Sequence, residues 1–191
     1  MRQPVHLRNG GFTLVEIIVV MAILSVMAIT LVPKISAFLG GGRGDLISFQ
    51  GFVAKTFDNA FLRNETCFLA IHCYSPNPKS GQQDMLAHEN GLSVLVMSDE
   101  NSLVETKRRT LSRISFPDSF KIDEVILSTG ETVRSGTAII PFSADGYSDD
   151  TIVHISIHDV PYSILIYKHI KSPRQISGSV TMDDMRRGNI Q

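Results

Sequence analysis

One carboxylate interrupts a long apolar run near the start of the chain. From Phe12 to Val32 the sequence is apolar except for Thr13, Glu16, Ser25 and Thr30. A helix over that span would be roughly 31 Å long, the thickness of a bilayer's hydrocarbon. Glu16 would stand one turn inside its amino-terminal end. An ionised side chain costs about 2.5–3.5 kcal/mol at the bilayer centre and less toward the edge, so Glu16 calls for a partner. An ordinary signal-anchor, whose glutamate reaches out to the interface, is the simpler alternative.

Other residue types could carry chemistry, and each has a plainer reading. Asp145-Gly146-Tyr147-Ser148-Asp149-Asp150 gathers carboxylates in a turn-rich stretch that suits a hard cation such as calcium. Asp145, Asp149 and Asp150 lack the register of an EF-hand loop, and a solvated hairpin turn is favoured, with no metal assigned. His154 and His158 share one face of a predicted strand but stand about 13 Å apart, too far for one metal. They read as solvated, and His72, His88 and His169 show no ligand spacing.

Cys67 and Cys73 are six apart in a stretch that reads as one strand. Six extended residues span about 20 Å, against roughly 4.4–6.8 Å between the α-carbons of a disulfide. Two core-facing thiols are therefore favoured over a local disulfide. Lys107-Arg108-Arg109 is a solvated basic patch that could meet an acidic partner. No nucleophile elbow, phosphate-cradling glycine loop, zinc signature or catalytic dyad occurs, which argues against an enzyme and assigns no cofactor.

Gly11-Phe12-Thr13-Leu14-Val15-Glu16, behind a basic leader and ahead of the apolar run, resembles the type IV prepilin signature of pilins, pseudopilins of type II secretion and their relatives. That resemblance implies cleavage between Gly11 and Phe12 by a prepilin peptidase and methylation of the new amino terminus. It also implies that Glu16 pairs with the terminal amine of a neighbouring subunit and fixes its axial register. A slip would leave both charges buried and unpaired, at several kcal/mol. Further on, Ile140-Pro141-Phe142-Ser143-Ala144-Asp145-Gly146, Ile152 to Ile157, Tyr162 to Tyr167 and Ile176-Ser177-Gly178-Ser179-Val180 resemble the carboxyl-terminal pattern of H-type minor pseudopilins.

The partners so implied are other pseudopilins or pilins, the prepilin peptidase, an inner-membrane assembly platform and membrane lipid. Nucleic acid is expected only if the machine is a DNA-uptake pilus. The resemblance leaves open a minor pilin of a type IV pilus or uptake machine, and the residues leave open a signal-anchored periplasmic enzyme. Because the family's tip subunit lacks the acid, Glu16 places the expected subunit below the extreme tip.

Charge and topology fit this picture. The chain of 191 residues has net charge −1, and without Arg2 and Arg8 it holds 16 basic and 19 acidic residues. No basic patch suggests nucleic acid. The leader's arginines put the amino terminus in the cytoplasm and everything after Pro33 in the periplasm, with a single pass through the inner membrane. Ile35-Ser36-Ala37 is a poor small-x-small site, so the apolar segment is retained rather than removed.

The elements that must position these residues follow from periodicity. Pro33 closes the apolar run and kinks or unwinds the helix. Four glycines in Gly40–Gly44 cost roughly 1 kcal/mol each against alanine, so a flexible joint is expected there. Leu46, Phe49, Val53, Phe57 and Phe61, joined by Phe52 and Ala60, recur at helical spacing and should face a core.

Beyond Glu65 the period changes to two. Candidate strands are Cys67–Tyr74, Leu92–Ser98, Leu111–Phe116, Phe120–Leu127, Ala138–Phe142, Ile152–His158, Tyr162–Tyr167 and Ile176–Thr181. Turn chemistry separates them, with Asp159-Val160-Pro161 assigned between Ile152–His158 and Tyr162–Tyr167, and no second helix is evident. The expected organisation is a cleaved leader 1–11, a transmembrane helix 12–33, a glycine-interrupted amphipathic helix 34–64 and a periplasmic β-rich head 65–191. The fold class is α+β, a long amino-terminal helix packed on an antiparallel head in the pilin manner.

Overall fold

The structure, a computed structural model, describes residues 14–75 and 89–188, and within these the side chains of residues 14–24 and from 42 onward. The chain divides into two compact units, Met1–Gly41 and Gly42–Gln191. Helix α1, Leu14–Arg63, contributes to both. Its backbone is helical through Pro33 and through Gly40–Gly44, so the expected interruption is not seen in the helix itself. The boundary between the two units nevertheless falls inside the glycine run.

A packing contact within the second unit explains why one of these glycines stays helical. A β-carbon on Gly42 would lie 2.1 Å from Ile157 Cγ2, so the helix approaches a strand more closely than any side chain allows. Tertiary contact outweighs the propensity that argued for a joint.

In the second unit the helical stripe turns inward as its spacing demands. Leu46, Phe49, Phe52, Val53 and Ala60 are buried, and Thr56 joins them, donating its hydroxyl to the Phe52 carbonyl. Phe57 is half-buried, while Phe61, read as core, is 59% exposed at the end of the helix.

The strands are β1 Cys67–His72, β2 Gly91–Met97, β3 Leu103–Glu105, β4 Ile114–Ser115, β5 Phe120–Ile126, β6 Thr132–Val133, β7 Thr137–Phe142, β8 Thr151–Ile157, β9 Val160–Ile166 and β10 Arg174–Ser177. They form two sheets with every pairing antiparallel. One has the order β3-β2-β1-β7, with β4 also paired to β2; the other runs β10-β9-β8-β5-β6. The chain just past β1 joins them, Cys73 N donating to Gly136 O and Tyr74 N to Ile122 O. Buried side chains of α1 and both sheets form one core around Phe49, Phe120 and Phe142.

The α+β architecture is therefore as expected, and several local readings need correction. The expected strand Leu111–Phe116 is a 3₁₀ turn, Arg109–Leu111, followed by the two-residue β4. The short strands β3 and β6 lack the length that makes alternation visible. The expected strand Ile176–Thr181 is β10, Arg174–Ser177, and a second helix, α2 Met182–Arg187, follows it where none was expected. Thr181 caps α2 in a reciprocal pair with Asp184, and Gly188 closes it at φ 66°. The β8–β9 turn is His158-Asp159, both with positive φ, as a two-residue hairpin of matching twist requires.

Candidate functional site

The amino-terminal segment carries the residues singled out for processing and assembly. Gly11 and Phe12 lie outside the described residues. Glu16 sits in the first turn of α1. Around it, on all sides of the helix, Leu14, Val15, Ile17, Ile18, Val19, Met21, Ile23 and Leu24 are more than half exposed, and Val20 is 49% exposed. A helix apolar on every face is stable only against lipid or other apolar surfaces. Among the described residues no helix is long and apolar enough to cross a membrane. Of the expected span 12–33, side chains are described only for 14–24, and the side chain of Pro33 lies outside the description.

The acidic loop is a turn built by its own backbone. Ser143 N donates to Tyr147 O, Gly146 N to Ser143 O, and Asp145 N to Ser143 Oγ. Asp150 Oδ1 accepts from Lys168 N at 2.8 Å, which spends that oxygen on the fold. Among the described residues no three His, Cys, Asp or Glu side chains, Asp145, Asp149 and Asp150 included, are grouped closely enough to hold a metal.

Cys67 and Cys73 are both buried free thiols, as the strand spacing argued. Asn59 Nδ2 donates to Cys67 Sγ at 3.2 Å. Burial pushes the Cys73 thiol up to about 11, with Asp123 and Glu124 adding to the effect.

Two readings of charged residues need correction. Arg108, read as part of a solvated run, is half-buried and donates Nη2 to Glu65 Oε2 at 2.6 Å. Lys107 and Arg109 on either side are exposed. His154, read as solvated, has a side chain only 13% exposed. It faces Glu124 across the β5–β8 ladder, with Nδ1 2.8 Å from Glu124 Oε1 and Nε2 3.0 Å from Val180 O. The Arg134 hydrogen bond, then that of His154, holds the Glu124 carboxyl below its ordinary value.

Ser179 Oγ stands 3.4 Å from His154 Nε2, so Ser179, His154 and Glu124 have the connectivity of a hydrolytic triad. The chemistry differs. Nε2 lies closer to the Val180 carbonyl, at 3.0 Å, than to Ser179 Oγ, and that carbonyl can only accept, so an acceptor faces each ring nitrogen and the ring is placed to bridge Glu124 and Val180 rather than to serve Ser179. The ring is a clasp between β8 and the segment leading into α2. Ser163 on β9 does the same beside it, donating to Gly178 O at 2.6 Å and accepting from Val180 N. A second serine–histidine pair, Ser93 Oγ and His72 Nε2 at 2.9 Å, is fully buried, with Thr137 on His72 Nδ1.

Sequence reasoning missed Glu124, Arg134 and the clasp. Glu124 meets His154 through the register of β5 against β8, which shifts between Ile122 and Glu124, and meets Arg134 through the pairing of β5 with β6.

With this geometry in place, comparison with known proteins adds three findings. The prokaryotic N-terminal methylation motif matches residues 7–32, a stretch that includes Gly11, Phe12 and Glu16. Comparison with curated proteins found no match. Two solved structures of the minor pseudopilin EpsH from the type II secretion system of Vibrio cholerae are similar to the chain at 10% identity. One covers 71% of this chain and 95% of its own with a TM-score of 0.46; the other covers 70% and 92% with a TM-score of 0.49.

Proposed function

We propose that the chain is a minor pseudopilin-like subunit of a type II secretion system. It is cut between Gly11 and Phe12, methylated on Phe12, held in the inner membrane by the helix 12–33, and drawn into a short periplasmic filament that helps move proteins across the outer membrane. One observation carries the reading: the methylation motif at residues 7–32 coincides with a helix whose described turns are apolar and exposed all round, Glu16 excepted. In lipid and then in a filament, that surface is covered by acyl chains and by neighbouring helices.

Glu16 then has a definite task. Cleavage leaves a positive amine on Phe12, one turn from the carboxylate, and in low dielectric the acid of one subunit matches the amine of the next. The subunit so built sits below the extreme tip, since its acid reaches a neighbour's amine. Its β head meets other minor subunits or cargo.

The test is the Glu16→Ala variant in the native cell. Leader cleavage should remain largely intact while incorporation into sheared or crosslinked filaments falls several-fold. Unchanged incorporation would contradict the role given to Glu16.

A further inference from the structure

We propose that the groove beside the carboxyl-terminal turns of α1 is a docking site for an acidic protein segment that carries an apolar side chain. The groove has a volume of about 280 Å³. Lys55, Asp58, Asn59, Leu62 and Arg63 line it from one side of α1, at the spacing of a single helix face, and Leu111 of the 3₁₀ turn closes it.

Charge complementarity selects the occupant. Lys55 and Arg63 are exposed and form no ion pair among the described residues. The one acid in the lining, Asp58, is already neutralised by Lys171 Nζ at 2.7 Å. The groove therefore offers two uncompensated positive charges. Between them Leu62 is 78% exposed, an aliphatic side chain with nothing covering it. Asn59 links this wall to Cys67, whose surroundings include Arg63, Glu65 and Arg108.

A peptide with carboxylates on either side of a leucine-sized residue satisfies all three features. Its apolar side chain covers Leu62 against Leu111, and its carboxylates take Lys55 and Arg63. The small volume and apolar floor suit a side chain or two rather than a phosphate backbone. The proposal stands on the second unit alone and is independent of how the amino terminus is processed.

The experiment is in-cell photo-crosslinking of the full chain with benzoylphenylalanine in place of Thr110, at the groove's rim, and in a second variant in place of Leu62. Mass spectrometry of the adduct should identify a peptide with acidic residues flanking an apolar one. Adduct yield from the Thr110 probe should fall at least tenfold in Lys55→Glu/Arg63→Glu and persist in Lys55→Arg/Arg63→Lys. Adducts to lipid, to nucleic acid or to a peptide without acids would overturn the proposal. So would absence of any adduct, or a yield indifferent to charge reversal.

Discussion

His154 reaches Glu124 with one ring nitrogen, at 2.8 Å, and the Val180 carbonyl with the other, at 3.0 Å. The imidazole thereby ties the central strands of one sheet to the segment that starts α2. Beneath that segment Ile152 and Leu165 form a small second core with Val180 and Met185. The clasp thus holds the lid on a cluster separate from the main core. His154→Ala leaves Glu124 with Arg134 alone and should cost about 1.5–3 kcal/mol, the range for hydrogen bonds to charged groups, measured by urea unfolding followed by circular dichroism.

The same pair sets an acid-side dependence. Glu124 has a folded value below the ordinary 4.5 because Arg134 and His154 favour its carboxylate. Its contribution is therefore complete above about pH 4.5 and is lost as pH falls through the lower, folded value. Unfolding midpoints should decline below pH 4.5 more steeply in the parent chain than in Glu124→Gln. Parallel profiles would show that the pair contributes nothing.

Gly42 gives a second, sharper expectation, because two neighbouring glycines serve as controls. An added methyl at Gly42 meets Ile157 Cγ2 at 2.1 Å, whereas Gly44 and Gly51 have nothing within 4 Å of theirs. Overpacking costs about 1–3 kcal/mol, against a helix-propensity gain of about 1 kcal/mol. Gly44→Ala should stabilise the second unit by several tenths of a kcal/mol, and Gly42→Ala should destabilise it. Moving the branch away in Gly42→Ala/Ile157→Leu should recover part of the loss, read from melting temperatures of the three variants.

The cysteines give a third. Both are buried free thiols, and Cys73 is pushed up to about 11, so little thiolate forms at neutral pH. Maleimide should label neither thiol at an appreciable rate in the native chain. Without reductant, both should react once the chain is unfolded in guanidinium. A mass showing only one accessible thiol, or none, after unfolding would contradict the free-thiol assignment.

What the sequence made legible divides along the range of the interactions involved. The buried face of α1 could be read from Leu46, Phe49, Phe52, Val53 and Ala60, because one helix sets their spacing. Strands β1, β2, β5 and β8 could be read from apolar and β-branched runs of six or seven residues. Helix α2 is six residues long, too short for a period, and announces itself only through Thr181, Asp184 and Gly188.

Arg108 illustrates the other limit. Its neighbours in sequence make it look like part of a charged run, yet its partner Glu65 lies 43 residues away and comes to it only through the fold. His154 likewise depends on an irregular register between β5 and β8 that no local pattern encodes. The prepilin-like segment was legible for the opposite reason, since Gly11, Phe12 and Glu16 carry their meaning within a few residues of one another.

The central claim is that this chain is processed and then assembled, and the mature amino terminus reports it directly. Intact-mass and peptide mass spectrometry of the protein isolated from its native cell should find a chain beginning at Phe12 with one methyl group on its amine. A chain that keeps Met1 to Gly11, with no methylated phenylalanine, would contradict the account.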